Sequence, residues 1–201
     1  MTTCIRPNQI IGGQLRFPFF YHMTHKDNVA GILKHGILSW TDVRARGISA
    51  VDISDPGAQR WRDRQEPANH RVIHDYAPMY INPKNPMLYV RRERQREIVI
   101  LRISPCVLEE GQHVFSDGNA ASHDTQFSSE SNIVARSIAA LNASYWGDCP
   151  DGKRRRCAEL LVYPNVPPSH IISAICSSSV LAEEIALQTD LQVEVDHSMF
   201  F

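Results

Sequence analysis

Helix and strand signals follow one another in this chain without a repeating unit, and that irregular order restricts the fold more than any other feature. Val29, Ile32 and Leu33 share one face at helical spacing, and Gly36 follows as a stop. Thr24 stands where a cap belongs, with Asp27 three residues on as the other half of a capping box. A short strand, Phe19 to Met23, is expected just upstream. Asp55-Pro56 predicts a second helix, short and basic, running to about Gln65 and carrying Arg60, Arg62 and Arg64. Ile73 to Ile81 and Met87 to Arg91 read as strands joined by the turn Asn82-Pro83-Lys84-Asn85-Pro86. Glu97 to Ile103 is apolar almost throughout, as a buried strand is.

The second half continues in the same broken rhythm. Ser116 to Ser128 reads as a loop, and Ile133, Val134, Ser137, Ile138 and Leu141 recur at helical spacing. A polar, basic loop runs from Gly147 to Arg156. Cys157 to Tyr163, His170 to Cys176 and Gln192 to Asp196 read as strands, with a helix at Val180 to Leu187. No regular βαβ alternation appears and no Gly-x-Gly-x-x-Gly occurs. The expected class is therefore α+β, and a bound dinucleotide would not be held in the Rossmann manner.

At 201 residues, with no linker, repeat or low-complexity stretch, residues 1–201 are expected to form one domain. A domain of that size buries about 70% of its unfolded surface, enough for a core without staples. No run approaches a membrane span and no signal-peptide pattern opens the chain, so a cytoplasmic protein without a membrane partner is expected. The five cysteines (Cys4, Cys106, Cys149, Cys157, Cys176) are scattered singly. They read as reduced thiols, with no metal-ligand spacing among them. Net charge is −1, yet positive charge gathers in Arg91 to Arg96 and in Lys153 to Arg156. Each cluster fits a phosphate-tracking patch or a solvated loop face.

Two positions are chemically out of place. Strand alternation puts Glu159 on one face with Leu161 and Tyr163. A carboxylate there is costly to bury unless it is paired. An edge strand with one face in water explains it as well as a cleft in which partial desolvation sharpens the charge against a developing cation. His22 lies just before a helix start whose free N–H groups suit an anion or a ligand amide. A half-buried histidine satisfied by backbone is the simpler reading of the same position. Arg62 and the pair His74-Asp75 are unspecific by themselves.

Together these residues resemble the DarT-type DNA ADP-ribosyltransferase toxins of bacterial toxin–antitoxin pairs. The resembling blocks are Phe20-Tyr21-His22-Met23-Thr24-His25-Lys26-Asp27-Asn28 and Gly57-Ala58-Gln59-Arg60-Trp61-Arg62. The string from His74-Asp75-Tyr76 through Asn82-Pro83-Lys84-Asn85-Pro86 to Met87-Leu88-Tyr89 is the most specific. Val114 to Asp117 with Ser122-His123, then Ala143-Ser144-Tyr145-Trp146 and Ala158 to Tyr163, complete the order from about residue 19 to 176. The resemblance implies an ADP-ribosyltransferase-like split β-sandwich with peripheral helices. It implies NAD as co-substrate without a metal, and a base in single-stranded DNA as acceptor, thymidine ahead of guanosine.

By position, the resemblance makes Glu159 the catalytic glutamate and Arg62 the active-site arginine. It assigns His22, Thr24, Arg62, Tyr76, Met87 and Tyr89 to NAD, and His123, Tyr145, Trp146, Lys153 and Arg154 to the nucleic acid. The loop Gly147 to Arg156 would recognise the acceptor, and a macrodomain antitoxin of the DarG kind would reverse the modification. The sequence departs from the family at Trp61, in the short basic stretch between Tyr89 and Ile98, and in the loop pattern Asp151-Gly152-Lys153-Arg154-Arg155-Arg156. Those departures bear on the acceptor rather than on NAD. Transfer to RNA or protein, hydrolysis of NAD with water as acceptor, and a non-catalytic single-strand-binding module remain the competing classes.

Overall fold

A computed structural model of the chain describes residues 15–201; Cys4 lies outside the described residues. In chain order the strands are β1 (Phe20–His25), β2 (Ile37–Leu38), β3 (Ala77–Tyr80), β4 (Ile98–Ile103), β5 (Gln112–Ser116), β6 (Phe127–Ser128), β7 (Glu159–Tyr163), β8 (Asn165–Val166), β9 (Ile171–Cys176) and β10 (Gln192–Val195). Helices are α1 (Val29–His35), α2 (Trp40–Ala45), α3 (Pro56–Trp61), α4 (Pro86–Val90), α5 (Ile138–Asn142), α6 (Gly152–Arg155) and α7 (Ser179–Gln188), with 3-10 turns between them. Eight strands form one sheet in the order β10-β9-β4-β1-β3-β7-β5-β6, and β2 pairs with β8 in a small ribbon. This is the mixed α+β architecture that the broken rhythm of the sequence implies.

The sheet is nearly severed in its middle. β1 is laddered to β4 along its whole length, from Phe20↔Ile103 to His25↔Ile98, but meets β3 only at Tyr21↔Tyr80. Pro78 supplies a reason: it has no N–H to donate across the gap. Its carbonyl instead accepts a hydrogen bond from the His22 ring nitrogen Nδ1 at 2.9 Å. A side chain thus closes the position where backbone pairing stops.

The cores on the two faces differ in the same way. On one face a single cluster runs across both halves of the sheet, from Leu101 and Phe20 to Met79, Leu160 and Phe115, joined by Val29 of α1 and by Leu181 and Ile185 of α7. On the other face the core is divided. Tyr21, Ile98, Ile100 and Leu88 make one cluster, and Tyr76, Val114 and Leu161 make another. Tyr80, packed against the first, stands opposite Glu159, which shares its strand face with Leu161 of the second. The break in the core is where the candidate site lies.

Several expected elements fall differently. Strand β1 runs on to His25, because Thr24↔Val99 and His25↔Ile98 continue its ladder, so Thr24 is a buried strand residue rather than a cap. The His25 ring takes the capping role by accepting from the Asp27 N–H. Gly36 does close α1: its φ is 83°, and a Cβ there would stand 2.3 Å from the Val166 carbonyl oxygen. Met87 to Arg91 is a helix, not a strand. Asn85 accepts from the Met87 and Leu88 amides and Pro86 occupies the first turn, so Asn85-Pro86 is a helix start rather than the end of a turn. The basic helix stops at Trp61, where the chain folds back and Gln65 bridges to Val72. Ile73–Asp75 is a 3-10 turn before β3, and α6 occupies part of the expected 147–156 loop. Cys106 is disulfide-bonded, whereas Cys149, Cys157 and Cys176 are free, so the expectation of reduced thiols holds for those three alone.

Candidate active site

Glu159 is the first residue of β7, an interior strand between β3 and β5, and is 1% exposed. An edge strand is therefore not the explanation for its charge. The backbone at Glu159 is fixed by its N–H donating to Ser116 Oγ at 3.0 Å. Its carboxylate receives Arg62 Nη2 at 2.7 Å on both oxygens, and Oε1 also accepts the Ala120 N–H at 2.9 Å. A buried carboxylate without such partners would cost several kcal/mol. No other hydrogen bond from the Arg62 side chain is present among the described residues, so part of its donor fork is unused.

Arg62 is delivered by local structure that the sequence only half reveals. Asp55 caps α3 by accepting from the Ala58 amide, and Arg62 follows at the helix end, its N–H donating to the Gln59 carbonyl. The His74 ring bonds Asp63 Oδ1 at 2.8 Å and Gln59 Oε1 at 2.7 Å, and it stacks on Trp40 at 4.3 Å between ring centres. His74 thus bolts down residues on both sides of Arg62. Its own N–H donates to the Arg62 carbonyl at 3.2 Å.

The electrostatics follow from burial around one ion pair. Burial works most strongly against the Arg62 charge, but Glu159, with Tyr80 and Cys157, together offset it and raise the guanidinium above its ordinary range. Burial, then the Glu159 charge, pushes the Tyr80 phenol well above its ordinary value, and the same two causes push the Cys157 thiol up to about 12. Tyr80 and Cys157 are therefore neutral walls, and Cys157 is no nucleophile.

His22 and Thr24 alternate with Tyr21 and Met23 and so face the α1 side of the sheet. They line a cavity of about 160 Å³ with Asn28, Ile32, His35 and Ser49. Desolvation lowers the His22 pKa, and the Nδ1–H goes to Pro78, so the neutral ring leaves Nε2 as an acceptor. Asn28 donates to Thr24 Oγ1 and to the Val51 carbonyl and accepts the Val51 N–H, pinning the 46–54 stretch beside the cavity. The cavity and the ion pair thus lie on opposite faces of the sheet, near the weakly paired seam between β1 and β3.

The remaining expected residues divide. Met87 sits on α4 beside Cys157, and Tyr89 is exposed there, edge-on to Trp146 at 6.0 Å and to Phe201 at 5.2 Å. Tyr145 is 57% exposed and continues this aromatic surface, with Arg92 over Tyr89 and Lys84 over Phe201. His123 and Lys153 are exposed. Two residues turn away from the expected roles. Tyr76 is buried and donates its hydroxyl to Glu66 at 2.8 Å, so it is a core residue rather than part of a cleft wall. Arg154 faces inward, paired with Asp117 at 2.7 Å and with Asp151, and presents no free charge to a strand. Arg156 is likewise spent on the carbonyls of Lys84, Ala140, Leu141 and Ala143. The Ala120 amide and the His74 bolt carried no sequence signal of their roles, since a backbone donor is anonymous and His74 had only Asp75 for an evident partner.

A buried carboxylate held against a fixed cation that keeps donors to spare has the charge to steady a positive sugar during glycosyl transfer. Residues 21–201 match the family described as "ssDNA thymidine ADP-ribosyltransferase, DarT", and the chain belongs to this family of DNA ADP-ribosyltransferases. A DNA ADP-ribosyl transferase–DNA ADP-ribosyl glycohydrolase fusion protein of Thermosipho africanus is 30% identical over 175 residues, which are 85% of this chain and 45% of that relative. The chain thus spans about half the length of that fusion. The structure of Thermus sp. 2.9 DarT in complex with ADP-ribosylated ssDNA aligns with a TM-score of 0.79 at 25% identity, covering 90% of this chain and 95% of that one. Thermus sp. 2.9 DarT in complex with carba-NAD+ aligns at 0.75 and 25% identity, over 90% and 97% of the two chains. Among the described residues there is no group of His, Cys, Asp and Glu able to hold a metal, and no helix long and apolar enough to cross a membrane.

Proposed function

We propose that the protein transfers ADP-ribose from NAD to thymidine in single-stranded DNA, with Glu159 as the catalytic carboxylate. The observation that carries this reading is the Glu159–Arg62 pair, buried at the divide in the sheet yet with unused donors on Arg62. Breaking the nicotinamide–ribose bond builds oxocarbenium character on the sugar, and Glu159 supplies the opposing charge and hydrogen-bond acceptors for the ribose hydroxyls. Nicotinamide leaves with the bonding pair. The thymine ring nitrogen forms the new bond to C1 of that ribose as its N–H bond breaks, and the proton passes to water. Arg62 remains protonated throughout and acts electrostatically, through the N–H groups that Glu159 does not use. His22, Thr24 and Met87 hold the donor across the weakly paired seam between β1 and β3, and Tyr89 closes the outer end of its site.

An acceptor base must leave its stack to reach such a cleft, which single strands allow cheaply. The exposed ring of Tyr145 and the half-buried ring of Trp146, with Lys153 and His123, support a path for the strand toward Glu159. Pairing with a glycohydrolase antitoxin of the macrodomain kind is supported by the Thermosipho relative, in which transferase and glycohydrolase are fused. In that setting the protein acts in the cytoplasm as a toxin. The test is incubation with labelled NAD and single-stranded oligonucleotides of each base, with RNA as competitor. Label on the thymidine strand, lost on Glu159→Ala, supports the reading; label on RNA alone, or on nothing, removes it.

A further inference from the structure

Arg154 belongs to a basic run, yet its surroundings neutralise it. Nη1 donates to Asp117 Oδ1 at 2.7 Å and to Thr125 Oγ1 at 3.1 Å, and Nε donates to Asp151 Oδ2 at 2.7 Å. Two carboxylates thus face one guanidinium, whose side chain is 11% exposed. A phosphate has little to gain there.

What the arginine does hold is the 117–125 loop. Its backbone carbonyl accepts the Asn119 N–H at 3.0 Å, so main chain and side chain grip the loop at three points. Inside that grip the Asn119 carbonyl accepts from Thr125 Oγ1 at 2.6 Å, and the Asp117 carboxylate accepts the Gln126 amide at 2.9 Å. Gly118 is packed so tightly under the guanidinium that a Cβ would stand 2.5 Å from Nη1. From the far side Arg64 Nη2 donates to the Ala120 and Ser122 carbonyls. Between the two arginines sits the fully buried Ala120, whose N–H is the only neutral donor to the Glu159 carboxylate among the described residues.

We propose that Arg154 is a positioning residue: it clamps the 117–125 loop so that the Ala120 N–H fixes Oε1 of Glu159 in the geometry the transfer needs. The proposal rests on Glu159 being the catalytic carboxylate. It gives α6, the short helix inside the 147–156 loop, a mechanical hold on the reacting centre, with no contact to the strand. A misplaced carboxylate of this kind costs about 10²-fold in rate, because the reacting groups must be held close to their productive geometry.

The experiment compares wild type with Arg154→Ala in steady-state transfer to a thymidine oligonucleotide and in amide hydrogen exchange. The clamp predicts kcat lower by about 10²-fold, with oligonucleotide KM and its salt dependence unchanged, and faster exchange at Ala120 while the β4 amides stay protected. A raised KM with a shallower salt slope and unchanged kcat would mean a phosphate contact and overturn the proposal. Unchanged exchange at Ala120 overturns it as well. Should Arg154→Ala fail to fold, Gly118→Ala displaces the guanidinium from the opposite side and carries the same two readouts. Exchange needs no turnover, so a wild type without transfer whose Ala120 amide still responds removes the functional reading and leaves the clamp standing.

Discussion

Two glutamates among the described residues are buried almost completely, Glu66 at 0% and Glu159 at 1% exposure, and their partners tell them apart. Glu66 accepts the amides of Ala68, Asn69 and Arg71 and the hydroxyl of Tyr76, all within ten residues of itself. It closes a turn with neutral donors and faces no cation. Glu159 draws its partners from Arg62, 97 residues away, and Ala120, 39 away, and one of them is a guanidinium with donors to spare. Burial alone therefore does not mark a reactive carboxylate. A closed shell of local amides makes a rivet; the ion pair assembled from distant segments, with donors left over, is the one we propose as the reacting centre.

The comparison is most sharply tested by Glu159→Gln, which keeps the shape and removes the charge. Transfer should fall by about 10³-fold while the folded structure, followed by circular dichroism, persists. Arg62→Lys comes next. It preserves the charge but not the planar fork, and a loss of about 10²-fold in kcat is expected from single-turnover assays. The rivet should behave oppositely. Glu66→Gln turns one accepting oxygen into a donor and leaves buried N–H groups facing it without an acceptor, so it should cost about 2 kcal/mol of unfolding free energy in urea titration and leave the rate per folded molecule unchanged. A Glu66 variant that lost turnover without losing stability would erase the distinction.

These roles were unevenly legible in the chain. Glu159 stood out because a carboxylate interrupts an apolar strand whose alternation fixes its face, and that prediction of position survives in the register Tyr80↔Glu159. Glu66 carries no such signal, because it lies in a polar stretch with no period to violate. The break between β1 and β3 was written in Pro78, yet a proline in a strand announces an interruption without saying which neighbour is lost. Arg154 and Arg156 looked like surface charge because sequence cannot show that carbonyls and carboxylates hundreds of atoms along the chain converge on them. Met87 to Arg91 read as a strand because its apolar residues are too few to fix a period, although Asn85-Pro86 held the helix signal.

The smallest expected effect concerns the cavity face. Burial lowers the His22 pKa, so as the pH falls through about 6.5 the unfolded chain takes up its proton first. Stability linked to this group is complete above that pH and declines below it. His113, lowered by burial too, adds a decline of the same sign. His22→Gln should therefore flatten part of the fall in Tm between neutral and mildly acidic pH, read by differential scanning fluorimetry. An unaltered slope would show that the His22–Pro78 link does not hold the ring neutral.

The central claim is that equal burial conceals unequal chemistry. Its most direct measurement is mass spectrometry of a single-stranded oligonucleotide carrying one thymidine, after incubation with NAD and each of wild type, Glu66→Gln and Glu159→Gln at equal folded concentration. One ADP-ribose added by wild type and by Glu66→Gln, and none by Glu159→Gln, is the predicted result. Equal addition by the folded Glu159→Gln protein would contradict it.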